Sequence, residues 1–119
     1  MIHEQYEELT DKKLTELEAD INSWKEKYGD INIISIELDD GEEFQGIFRL
    51  PTERDIKLAM RKELSNMESN RELIRITVLY PEVTIFSQIL KKYWGIATPI
   101  ANRLIELCHV SKEAKIKKL

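Results

Sequence analysis

The strongest constraint on this chain's fold is a change of period at residue 31. Before it, apolar residues recur at steps of three and four; from Ile31 the run "INIISIEL" is rich in β-branched isoleucine. The turn signal "DDG" at 39–41 follows, and then a second strand-like run, "EEFQGIFRL", which Pro51 stops. β-branched runs suit a pleated surface, and an Asp-Gly turn between two of them is a hairpin signature. Proline ends strand pairing because it has no N–H to donate, and it biases Leu50 toward extended backbone. A β-hairpin is therefore expected over residues 31–50, with Phe44, Gly46 and Phe48 alternating onto one face.

Helical periodicity surrounds that hairpin. Leu14, Leu17, Ile21, Trp24 and Tyr28 make one stripe, with Thr10 as N-cap and Gly29 as terminator, so residues 11–29 are expected as one helix. Residues 1–10 carry no such pattern and read as a flexible lead-in. After Pro51, Thr52 can cap a helix and Asp55 can complete a capping box. Ile56, Ala59, Met60, Leu64 and Met67 continue as a stripe. Asn70 is placed to cap a short helix through Leu73, Ile74, Thr77 and Val78, which Pro81 closes. Val83, Phe86, Ile89, Leu90 and Tyr93 line the next helix, ended at Gly95. Thr98 and Pro99 read as N-cap and first helical residue of a final helix through Ile100, Leu104, Leu107 and Cys108. The expected class is α+β: a helix, one hairpin and a C-terminal bundle of about four helices (52–119) in a single domain, residues 11–119.

Composition narrows the function. The length, 119 residues, is one domain's worth. No apolar run approaches the roughly 18 residues of a membrane span, so no membrane partner is expected. A single cysteine and an acidic, polar start agree with the cytoplasm. The net charge of −4 is uneven: residues 1–70 carry −9 and residues 71–119 carry +5. Such asymmetry can steer association or self-docking, or folding can interleave the charges. An acidic chain argues against a duplex nucleic-acid binder.

Catalytic chemistry is not visible. Cys108 and His109 are neighbours, so on a helix their side chains diverge by about 100° and do not form a nucleophile–base pair. Cys108 reads as a small core hydrophobe, and His3 lies in the lead-in. With Cys108, His3 and His109 the only Cys and His residues, a four-ligand structural zinc site is not available. "LDDGEE" is an acidic turn whose ordinary role is solvation. Neither a phosphate-cradling loop nor a cofactor motif is present. The cluster "KKYWG" at 91–95 joins aromatics to lysines, but packing or a protein interface suits Tyr93 and Trp94 better, since buried tryptophans dominate interface hot spots.

The order of features resembles a known family. "SWKEKYG" ends the leading helix, a hairpin runs into "FRLPTERDIKLA", several helices follow, and the chain finishes on "KIKKL". Trp24, Lys25, Lys27, Gly29, Phe48, Arg49, Pro51, Thr52, Arg54 and Ala59 carry the match, over about residues 22–119. The pattern is similar to that of the small tail assembly chaperones of tailed bacteriophages and prophages. The resemblance implies a non-enzymatic, cofactor-free protein that binds the tape-measure protein, keeps its helical surfaces in solution, and recruits tail-tube subunits. Trp24, Tyr28, Phe48, Arg49, Arg54, Tyr93 and Trp94 are the candidate partner contacts, with salt bridges to the acidic turn as the alternative use of the two arginines. Self-association along a long partner is a further expectation from the charge asymmetry. The alternatives are another phage or prophage accessory or virion-associated interaction protein, and a small regulatory binding domain.

Overall fold

A computed structural model describes residues 2–61 and 63–108. Two short helices, α1 (Asp11–Glu16) and α2 (Glu18–Tyr28), lead into strands β1 (Ile31–Glu37) and β2 (Glu43–Arg49). Helices α3 (Glu53–Ala59) and α4 (Asn66–Thr77) follow, then a third strand, β3 (Val78–Tyr80), and helices α5 (Val83–Lys92) and α6 (Ala97–Leu107). The class is α+β, with the expected hairpin and four helices behind it. The lysine-rich end of the expected helical part, and His109 with it, lie outside the described residues.

The hairpin pairs Ile31 with Arg49 through to Glu37 with Glu43. Gly41 sits at φ 85° in the connecting turn, a conformation that suits glycine. β3 adds to the other side of β2, giving an antiparallel sheet in the order β1-β2-β3. This strand was not expected: Val78 continues the helical phase of α4, yet its backbone is extended (φ −67°, ψ 134°) and it pairs with Phe48. A central position explains why Gly46, Ile47 and Phe48 are all buried although side chains alternate between faces. One face sends Ile34, Phe44 and Phe48 into a core completed by Leu73, Ile74, Phe86, Ile89, Ile100 and Leu104. Phe86 packs against both Phe44 and Phe48, with ring centroids 5.6 and 5.8 Å away.

Gly46 makes that layer possible. A methyl group there would come within 2.8 Å of the Phe48 ring, 3.0 Å of the Tyr80 carbonyl oxygen and 3.1 Å of the Phe44 ring. Gly46→Ala is expected to destabilise the fold by about 1–3 kcal/mol through overpacking, read as a lowered denaturation midpoint in urea with an unchanged slope.

The N-terminal segment corrects an expectation. Residues 1–10 read as a flexible lead-in, but Ile2, Tyr6 and Leu9 are buried. Because β3 is only three residues long, it leaves the far end of the β2 edge without a partner strand. The segment fills that space: the Tyr6 hydroxyl accepts a hydrogen bond from Gln45 N (3.0 Å), and Ile2 N donates to Glu42 Oε2 (3.0 Å). The Tyr80 hydroxyl in turn donates to the Glu7 carbonyl. Burial pushes the Tyr6 phenol up to about 12, against the opposing effect of the Gln45 bond.

Other boundaries shift too. The expected helix 11–29 breaks at Leu17, and its stripe is half-buried at Leu14, Leu17, Ile21 and Trp24 and exposed at Tyr28. Of the stripe from Ile56 to Met67 only Ala59 is buried, because the helix ends at Ala59 and a new one starts at Asn66. Ser65, not Asn70, caps α4, in a capping box with Glu68. The Thr52–Asp55 capping box forms as the sequence suggests. Thr98 and Pro99 fall inside the first turn of α6, and the Thr98 hydroxyl accepts from Asn70 Nδ2 (3.1 Å) rather than capping its own helix.

Candidate functional site

The sheet order leaves β1 at one edge, and the hairpin fixes which of its backbone groups face outward. Leu38 N donates to Glu42 O across the turn. Antiparallel hydrogen bonding alternates along a strand, so Asn32, Ile34 and Ile36 also point their N–H and C=O groups at β2. Those of Ile33, Ser35 and Glu37 point away from it. The same count on β2 turns Gln45 N toward the opposite edge, where it meets Tyr6. No other described strand pairs with β1. Exposed edges are normally blunted with proline, lysine, a bulge or a covering element. β1 has neither proline nor lysine, and Ile33 is 50% exposed.

A groove runs beside this edge. Near the hairpin tip it has a volume of about 470 Å3 and is lined by Ile36 and Leu38 on one side and Tyr93, Ile96 and Pro99 on the other. Toward the strand's start it continues as a second hollow of about 340 Å3, which shares Ile36 and Pro99 and ends at Arg103 and Leu107 of α6. The link between α5 and α6 forms the outer wall: Tyr93 ends α5, and a 3-10 turn over Trp94–Ile96 turns the chain into α6. Burial of Ile96 in the core holds that turn, while Trp94 is 55% exposed. Glu37, Asp39 and Asp40 make the tip of the groove acidic. Among the described residues none of the three has a Lys or Arg within ion-pair distance.

The seven residues expected as partner contacts separate into groups. Tyr93 lines the groove and Trp94 belongs to the turn that walls it. Trp24 is half-buried on α2, and Arg54 is exposed on α3. Two expectations are corrected. Phe48 is fully buried, so it contributes to the core and offers nothing to a partner. Arg49 does not reach the acidic turn; its guanidinium bonds Asp55 Oδ2 (2.6 Å) and the carbonyls of Leu50 and Ile76. It also lies 5.4 Å from the centroid of the Tyr28 ring, which fixes Tyr28 as part of the same structural knot. What the sequence reading missed is the edge itself. "INIISIEL" marked a strand, but its exposed side depends on β3.

Cys108 Sγ donates to the Pro51 carbonyl (3.5 Å), and burial pushes its thiol up, away from the thiolate form. His3 lies with its ring tilted by 57° against Tyr6 near the Glu42 end of β2, whereas Pro51 follows the opposite end of that seven-residue strand. Among the described residues no group of three or more His, Cys, Asp or Glu is placed to hold a metal ion. Nor is any described helix long and apolar enough to cross a membrane.

No protein-family model matches the chain, and no curated protein matches it. Among solved structures, the fold is similar to that of an uncharacterised protein, rbstp2171, from Bacillus stearothermophilus. The likeness has a TM-score of 0.63 at 22% identity and covers 82% of this chain and 99% of that one. It establishes a shared fold.

Proposed function

We propose that this chain is a non-enzymatic protein-binding protein of the tail assembly chaperone kind, whose contact surface is the groove beside β1. The observation that carries the reading is Trp94: a large aromatic side chain, mostly exposed, carried by the turn whose residues Tyr93, Gly95 and Ile96 line a largely apolar groove along an open strand edge. Exposed apolar grooves with aromatic anchors are the usual marks of protein partners. In the proposed role the partner is a long tape-measure-type protein, held in solution until tail-tube subunits assemble around it.

The test is co-expression with a tape-measure-type protein of a tailed phage, followed by affinity capture. Trp94→Ala is expected to weaken capture by roughly thirtyfold or more, the mark of a hot spot. Its own stability should change by less than about 0.5 kcal/mol, because so much of the side chain is already solvated. Undiminished capture by the variant would remove Trp94 from the contact surface. Failure of the unmodified chain to capture a tape-measure protein would remove the chaperone reading.

A further inference from the structure

Resting on that protein-binding reading, we infer that the groove takes an extended polypeptide segment, added as a fourth strand to the open edge of β1, with lysine or arginine at the end lying by Glu37, Asp39 and Asp40. Three observations converge on this occupant. The outward N–H and C=O groups of Ile33, Ser35 and Glu37 repeat every second residue, the pattern that an added strand satisfies with main-chain bonds. The hollow between that edge and α6 lies where alternate side chains of such a strand would enter, and its floor is apolar at Ile36, Ile96 and Pro99. The acidic tip has no cationic partner among the described residues, so a basic residue there gains charge-assisted bonds.

The seven residues of β1 (about 23 Å of strand) set the length of the occupant at five to seven extended residues. Its affinity would come from backbone bonds and its selectivity from the two or three side chains that enter the hollow. A second copy of this chain fits less well. The inward side chains of its own β1, Ile34 and Ile36, are committed to its own core and would leave the hollow empty.

The experiment uses the full chain carrying Trp24→Phe, so that Trp94 is the only tryptophan. A synthetic nine-residue peptide of alternating valine and threonine, with two lysines at one end, is titrated while Trp94 fluorescence is followed. Saturable binding with a blue shift is expected, at least tenfold weaker for a peptide with glutamates in place of the lysines. Ser35→Pro removes one outward N–H at an edge position that tolerates proline; it should abolish binding while leaving the circular dichroism melt in place. Should that variant not fold, the surface pair Glu37→Lys with Asp39→Lys serves instead, and is expected to reverse the preference between the two peptides. Equal binding of both peptides, or full binding by a folded Ser35→Pro, overturns the inference. So does a peptide-resistant dimer in sedimentation, which would give the edge to a second copy. Tighter peptide binding after Lys117→Glu and Lys118→Glu would also overturn it, by giving the edge to the chain's own end. If peptides fail while Trp94→Ala still abolishes tape-measure capture, strand addition falls and the protein-binding reading stands.

Discussion

Phe48→Ala is expected to cost about 3–5 kcal/mol, the range for truncating a buried aromatic side chain. For a domain of this size that corresponds to a fall in melting temperature on the order of 10–20 °C. The ring is fully buried, stands edge-on to Phe86 with centroids 5.8 Å apart, and lies against Gly46. Its loss opens a cavity between β2 and α5 that neighbours cannot close, because Phe44 and Phe86 are held by the same layer. The measurement is thermal unfolding followed by circular dichroism. Phe48→Leu should keep more than half of the lost stability, since volume is better conserved. This outcome separates the core assignment from a contact role. A contact residue would lose partner capture and melt normally, so an unchanged melt for Phe48→Ala would sink the packing described above.

The hairpin, the Thr52–Asp55 capping box and the α5 stripe were legible in the sequence because each is specified locally. A change of period, an Asp-Gly turn or a hydroxyl three residues before a carboxylate is visible within a window of about ten residues. What was not legible depends on partners far along the chain. Val78, Leu79 and Tyr80 read as the last turn of α4, and only Phe48 and Ile47, thirty residues earlier, make them a strand. That strand decides which side of the hairpin is covered, and hence that β1 is the open edge. The lead-in was misread for a related reason. Ile2, Tyr6 and Leu9 are spaced by four and three, too short a stripe to mark a helix, and what orders them is the sheet end at Gln45 and Glu42 that β3 leaves uncovered. Of the groove, the aromatic pair Tyr93 and Trp94 could be picked out as interface material. Its opposite wall could not, because "LDDGEE" looks like any solvated turn until α6 is placed beside it.

Arg49→Met is expected to cost about 2–4 kcal/mol at neutral pH, a little under the range for breaking a fully buried ion pair, since the two side chains keep 15% and 13% exposure. The guanidinium joins β2 to the start of α3 through Asp55 and to the end of α4 through the Ile76 carbonyl. Asp55 also accepts from Thr52 N (2.9 Å), so one carboxylate both caps α3 and neutralises Arg49. Burial by itself would raise the Asp55 carboxyl, but the bonds from Arg49 and Thr52 outweigh it and hold the group below its ordinary value. A depressed folded-state value stabilises the fold fully above the unfolded carboxylate range, about pH 4, and the contribution is lost as pH falls through the folded value. In Arg49→Met the burial effect is left with less opposition, so the ionised carboxylate becomes a liability at neutral pH. The stability gap between the two proteins should therefore be widest near pH 7 and narrow below about pH 4, in urea denaturation at each pH. Adding Asp55→Asn to Arg49→Met should recover part of the loss, because it removes the stranded charge while keeping a cap acceptor. A gap of equal size at pH 7 and pH 3.5 would show that the guanidinium's contact with the Tyr28 ring and its bonds to the Leu50 and Ile76 carbonyls, rather than its pairing with Asp55, hold this junction.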